Sequence, residues 1–298
     1  MNWINAFEII CYIIVTIFLI DLIKKKSWRE FYLFISAAIA GFSLELLAVF
    51  LTDIYHYSNL YYIMVGSQPY QFPFFGGLMW GAVAVLSLRL ARKFALGDFK
   101  TALLSGFFVV SMDLLLDVAA IRLSGGFWVW DGVDINLAIN QHTFMSVIWV
   151  NFLGYMFETP SLIYYSKKYW RSAQTSVVKN IFATIIIGIL SVLTVGALIF
   201  ISLKLNDLTN DYFSFIAFVL LWIYIFSFLI KELIKKRELI CFKLTDPALF
   251  IFWLSIYLYC LIALTSLNIF KEIPLYGLFA GFLFVLTMGL ALVDFEEK

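Results

Sequence analysis

Apolar residues run through this chain in nine long stretches, near 5–23, 31–51, 73–92, 101–121, 143–165, 179–203, 212–231, 248–268 and 273–294. Short polar or charged segments separate them. Each stretch is close to the roughly 20 residues an α-helix needs to cross the hydrocarbon layer of a bilayer. The pattern predicts an all-α fold, a polytopic membrane helix bundle of about nine transmembrane helices. The last two stretches can also be read as a tight helical hairpin.

The basic residues give this bundle a direction. Of 21 Lys and Arg, all but Arg122, Lys204 and Lys271 fall in alternate loops, from Lys24, Lys25 and Lys26 through Arg89 and Arg171 to Lys298. Cytoplasmic loops carry such an excess. The N-terminus is therefore expected outside and the C-terminus in the cytoplasm of a multi-pass protein of the cell (plasma) membrane. A missed or surplus stretch would scramble the alternation, which supports nine.

Composition narrows the class. Of 298 residues, 63% are hydrophobic and 14% charged, against about 45–50% and about 25% in a soluble domain, so little of the chain is expected outside the bilayer. A net charge of +1 leaves no nucleic-acid footprint. Cys11, Cys241 and Cys260 are scattered and form neither a disulfide framework nor a metal motif. Two histidines, His56 and His142, are too few for a histidine-rich di-iron centre. No metal and no cofactor is expected. The N-terminus lacks a basic region and a small-residue cleavage site, so the first stretch reads as an anchor.

Against this background a few acids stand out: Glu45, Asp113, Asp117 and Glu158 lie inside apolar stretches. An acid in hydrocarbon costs at least about 2.5 kcal/mol on insertion scales and marks a functional site by default. Asp113 and Asp117, four apart, share a helix face. Two carboxyls so close rarely both ionise, so one is expected to keep its proton. At 1.5 Å per residue, Glu45 lies about 9 Å, Asp117 about 6 Å and Asp113 about 12 Å below the outer ends of their stretches. Asn151 is expected at the depth of Asp113. Glu158 lies deeper, before Pro160, which is expected to kink or end its helix.

The outer loops 52–72 and 122–142 hold Tyr55, Tyr57, Tyr61, Tyr62, Tyr70, Phe127, Trp128 and Trp130. They fit either an interfacial aromatic belt or a lid over the acidic layer. Gly77 and Gly81, and Gly277 and Gly281, have the GxxxG spacing of close helix contacts.

In order, the chain carries Glu45; Tyr55-His56-Tyr57; a stretch from Pro73 to Trp80; Asp113 and Asp117; Trp128-Val129-Trp130; and Trp149-Val150-Asn151-Phe152-Leu153-Gly154-Tyr155. This series resembles the membrane-integral carotenoid biosynthesis protein family, which includes hydratases of lycopene-type and bacterioruberin-precursor carotenoids. That family carries a glutamate, Tyr-x-Tyr, a Pro-to-Trp helix start, Asp-x-x-x-Asp-Pro, Trp-x-Trp and Ser-Asn-Phe-x-Gly-Trp. The resemblance covers about residues 37–165. This chain departs from it at Asp117-Val118, Val150-Asn151 and Gly154-Tyr155, and Thr52-Asp53-Ile54 stands in place of a longer Thr-Gly segment.

The resemblance implies cofactor-free, acid-catalysed hydration of a terminal C=C, or a related protonation-initiated conversion, in a hydrophobic isoprenoid or carotenoid drawn from membrane lipid. Asp113, Asp117 and Glu45 would be catalytic: one protonated carboxyl gives its proton and a carboxylate orients the water. Asn151, Trp128, Trp130, Tyr55, Tyr57, Trp80 and Arg122 would bind substrate, with aromatic rings stabilising a carbocation. Arg122, at the helix mouth, is expected to pair with one of the acids. Residues 1–298 read as a single membrane domain, with 31–165 as catalytic core and 179–298 as packing helices. Rival readings are a non-enzymatic isoprenoid binder, a proton-coupled transporter, which usually shows internal repeats, and a prenyltransferase, which needs a second acidic motif for magnesium and diphosphate.

Overall fold

The computed structural model describes residues 2–52, 55–170 and 176–295; Asp53, Ile54, Arg171 and Lys298, cited above, lie outside the described residues. Ten helices follow in order: α1 (Trp3–Lys24), α2 (Trp28–Leu51), α3 (Phe74–Arg92), α4 (Asp98–Ala120), α5 (Trp149–Tyr169), α6 (Val177–Thr209), α7 (Tyr212–Lys235), α8 (Pro247–Ser266), the one-turn α9 (Ile269–Glu272) and α10 (Pro274–Leu292). Local chemistry sets their ends. The Asn2 side chain caps α1 by accepting from the Asn5 N–H, and Asp246 caps α8 at Leu249 ahead of a proline start. Asn210 ends α6 in the left-handed region.

The bundle is built around α4. Every residue from Thr101 to Ala120 is buried, and α3, α5, α7, α8 and α10 all pack on it. A helix apolar on all faces belongs in an interior, and this one carries Asp113 and Asp117 into it. Small residues let its neighbours close in. Gly106 faces the ring of Pro160, and Gly77 and Gly81 of α3 receive Phe42 and Phe34 of α2. The second GxxxG pair behaves otherwise. Gly277 lies against Phe270, and a methyl group at Gly281 would meet open space. Pro160 sits inside α5 without ending it.

Among the described residues eight helices are long and apolar enough to cross a membrane: α1 to α4, α6, α7, α8 and α10. The chain is a polytopic all-α membrane bundle. The ninth long helix, α5, carries more polar residues and is covered by α2, α4, α6 and α7. Its start corrects the sequence reading. Residues 143–148 form a tight hairpin of β5 (Thr143–Phe144) and β6 (Val147–Ile148), not helix. Met145 and Ser146 turn with positive φ, and the Ser146 hydroxyl donates to the Asp134 carbonyl at 2.9 Å. Phe144, Met145 and Val147 are buried. An apolar hairpin packed inside a protein has the composition of a helix start, and length alone does not separate them.

The two ends of the bundle differ. At one end Arg89 binds Asp21, Glu30 and Asp246 at 2.7, 2.7 and 2.8 Å, tying α1, α2, α3 and α8. Lys93 donates to the Leu290 and Val293 carbonyls at the end of α10. Strands β7 (Ile240–Phe242) and β8 (Val293–Phe295) pair there. At the other end lie β1 (Tyr55–Tyr57), the hairpin β2 (Met64–Ser67) and β3 (Tyr70–Pro73), and β4 (Trp128–Trp130). Strands β1 and β4 come from different loops and pair antiparallel, Tyr55 opposite Trp130 and Tyr57 opposite Trp128.

Candidate functional site

Strand alternation places the roof of the site. Successive side chains point to opposite faces, so Tyr55 and Tyr57 turn inward and are buried while His56 turns outward toward Asp131 at 3.2 Å. Beneath them is a pocket of about 640 Å³, the open space at its mouth included, lined mainly by apolar side chains, among them Phe7, Phe72, Met79, Val109 and Leu116. Glu45, Asp113, Tyr55, Tyr57, Trp80, Trp128 and Tyr155 also line it. Few polar groups in an apolar cavity is the usual make-up of a small-molecule site.

Glu45 is the best-held of the acids. The Tyr57 hydroxyl donates to its Oε2 at 2.5 Å, and the Trp80 indole N–H to its Oε1 at 3.3 Å. The Tyr55 hydroxyl donates to Tyr57 at 2.8 Å and lies 3.4 Å from the same carboxylate oxygen. Burial, and then the charge of Glu45, push both tyrosine hydroxyls well above their ordinary range, so they remain donors at neutral pH. Trp80 reaches its place because Gly41 of α2 leaves room for its ring.

Asp113 and Asp117 share a face of α4 but have different surroundings. Asp113 opens on the pocket at 6% exposure. Asp117 is fully buried behind it. Its Oδ2 accepts from the Asn151 amide at 2.7 Å, and its Oδ1 has no partner. Tyr155, one helical turn beyond Asn151, lines the pocket. Asn151 therefore meets Asp117 rather than standing level with Asp113. Its helix begins later than the apolar stretch suggests, which leaves it in the first turn. Among the described residues no group of His, Cys, Asp and Glu is placed to hold a metal ion.

Several expected binding residues lie elsewhere. Trp130 stands behind Tyr55, ring centroids 4.6 Å apart, and does not line the pocket. Among the described residues Arg122 pairs with no acid. Its guanidinium donates to the carbonyls of Val118, Asn136 and Met145 at 2.7, 2.5 and 3.0 Å. The last carbonyls of a helix have no intrahelical donor and carry partial negative charge, so a cation just beyond α4 is drawn to them. Glu158 is buried with one oxygen unpartnered and does not line the pocket.

Two residues went unselected in the sequence. Tyr155 lies four residues after Asn151, and that spacing puts both on one helix face. Glu8 of α1 is fully buried, and its carboxylate accepts the backbone N–H groups of Tyr62 and Ile63 at 2.7 and 3.1 Å, which holds the loop leading to the roof. It was legible as an acid within the first apolar stretch.

No curated protein and no solved structure matches the chain. A family model described as carotenoid biosynthesis protein matches residues 4–220, extending well beyond the stretch that carries the sequence resemblance. With that match over most of its length, the chain belongs to the carotenoid biosynthesis protein family and is a multi-pass membrane protein with a role in carotenoid biosynthesis.

Proposed function

We propose that this protein adds water across a terminal C=C of a hydrophobic isoprenoid or carotenoid in the plasma membrane, without a cofactor. One observation carries the reading: a single apolar pocket presents two carboxyls in unlike settings, Asp113 in an apolar wall and Glu45 gripped by a tyrosine and a tryptophan. Unlike environments for two acids are how one site runs acid and base chemistry together.

In this mechanism Asp113 gives its proton to the terminal alkene carbon. The π pair forms the new C–H bond and leaves a tertiary carbocation at the neighbouring carbon. The faces of Trp80, Trp128 and Tyr155 stabilise that charge, an effect worth up to about 2 kcal/mol in a dry site. Glu45 orients a water whose oxygen bonds to the cation, and takes the proton released. That proton returns to Asp113, so the sum is one water added and no proton consumed. Asp117, held by Asn151, acts as a positioning residue for Asp113.

Expression in a lycopene-accumulating host tests this. The pigment is expected to gain the mass of one water, and Asp113→Asn, which keeps the shape and removes the transferable proton, is expected to lose about 10²–10⁴-fold in rate. Pigment bound but unchanged in mass would favour a non-enzymatic binder.

A further inference from the structure

The walls of the pocket are unequally closed. The roof is sealed by Tyr55 and Tyr57, 8% and 6% exposed. The floor is Trp80, lodged on Gly41 with its ring 5.2 Å from that of Tyr155. The side between α2 and α5 is different. Between Leu33 and Gly41 most residues of α2 are buried, but from Phe42 to Ala48 not one is, and Glu45 lies in this stretch. Opposite it, Asn151 and Tyr155 of α5 are also partly exposed.

The reason lies in α6, which bridges α2 and α5 only toward the basic end. There the Ser36 hydroxyl donates to the Thr184 carbonyl, and Gly188 lies on Ser36 and Ile39. Farther along, α6 meets α5, with Ile199 against Gly154, and α7, with Asn206 accepting from the Ser214 N–H. On the side away from α3, α6 leaves about two turns of α2 beside Glu45 without a covering helix. Accessible polar groups on a lipid-facing seam are costly unless the opening has a use.

The pocket is also small. At roughly 30 Å³ per heavy atom, the liquid share of a water molecule, the pocket and the space at its mouth together hold at most about twenty such atoms, well short of a long carotenoid. We propose that the pocket takes one end of a long-chain isoprenoid, and that the rest of the chain leaves into the lipid through a lateral window between the face of α2 that carries Glu45 and Ala48, which leaves Leu47 on another face, and the Asn151–Tyr155 face of α5. This rests on the hydration reading for the chemistry at the held end, but the window stands on geometry alone. The ligand class is a linear isoprenoid, entered end-first from the bilayer rather than from water, with its far end free of the protein.

Ala48 follows Glu45 by three residues and so shares its helix face. Ala48→Trp fills the window; Leu47→Trp, on the 42% exposed neighbouring position, is the control. Each variant in lipid nanodiscs receives a long acyclic polyene and a short isoprenoid with the same end group that fits in the pocket whole. Ala48→Trp is expected to slow the long substrate at least about tenfold and the short one less than about twofold, with Leu47→Trp slowing neither. Retained turnover of the short substrate shows that the variant is folded, and Ala48→Leu, a smaller plug, should give an intermediate ratio. Equal slowing of both substrates in Ala48→Leu, or undiminished turnover of the long one in Ala48→Trp, overturns the window. If the unsubstituted protein converts neither substrate, the hydration reading fails, and the window is judged by the polyene that co-purifies: less with Ala48→Trp than with Leu47→Trp supports it, equal amounts overturn it.

Discussion

Tyr57→Phe isolates one oxygen atom at the centre of the proposed chemistry. The phenyl ring keeps the edge contacts of Tyr57 with Phe72 and Trp128, at 5.1 and 6.2 Å between centroids, so the roof should stay in place. What disappears is the 2.5 Å donation to Glu45. A hydrogen bond to a charged group contributes about 1.5–3 kcal/mol, and each 1.4 kcal/mol is tenfold. If that orientation serves the transition state, the rate should fall about 10- to 150-fold. Tyr55→Phe removes a hydroxyl whose short bond, 2.8 Å, goes to Tyr57 and whose contact with Glu45 is a long 3.4 Å; as a neutral hydrogen bond worth about 0.5–1.5 kcal/mol it should cost about 2- to 12-fold. The assay is the initial rate of hydrated product per folded enzyme, separated by chromatography. Both hydroxyls are pushed above the normal tyrosine range by burial and by Glu45, so neither ionises at neutral pH and the ratio between variants should be level across about pH 6–8. A Tyr57→Phe enzyme at full rate, or one faster than Tyr55→Phe, would refute the claim that this hydroxyl orients the base.

Two further substitutions probe the support around the site. In Gly41→Ala the new methyl would lie under 3 Å from three atoms of the Trp80 side chain, so the ring must move toward the pocket; turnover should fall more than a thermal midpoint shift from about 1–3 kcal/mol of overpacking suggests, and unchanged turnover would show that the position of Trp80 is immaterial. Arg89→Met leaves Asp21, Glu30 and Asp246 without their shared cation; removing one member of such a buried cluster costs about 3–5 kcal/mol, to be read as a lowered unfolding temperature in detergent, and an unchanged midpoint would mean the remaining cations Lys25 and Arg92 suffice.

The helices were legible because a membrane imposes a length and a polarity that few other settings demand. The two acids of α4 were legible for the same reason, since nothing in an apolar run hides a carboxylate. Less visible was whatever depends on partners far apart in sequence. Tyr55 and Tyr57 show a period of two, and so do Trp128 and Trp130, but that they pair with each other follows from where α2 and α4 end in space. Arg122 lies five residues from Asp117, and charge proximity suggested a pair; the free carbonyls at the end of α4 competed for it and prevailed. Residues 143–148 read as helix because burial erased the polar alternation that marks a strand. Glu8 was overlooked beside a polar N-terminus, where an acid looks interfacial, although its task is to hold backbone N–H groups of a distant loop.

The β1–β4 ribbon also bears on how the protein is made. Synthesis delivers α2, with Glu45, well before Trp128 to Trp130 leave the ribosome. Until then β1 lacks its partner strand, and the roof over the Glu45 carboxylate is a loose loop. The pocket is thus completed late, only when the segment after α4 pairs with a strand that has been waiting since the second helix. A nascent chain arrested between α3 and α4 would hold Glu45 without the strand that closes the roof above it, so the order of manufacture itself leaves the pocket open until α4 is in place.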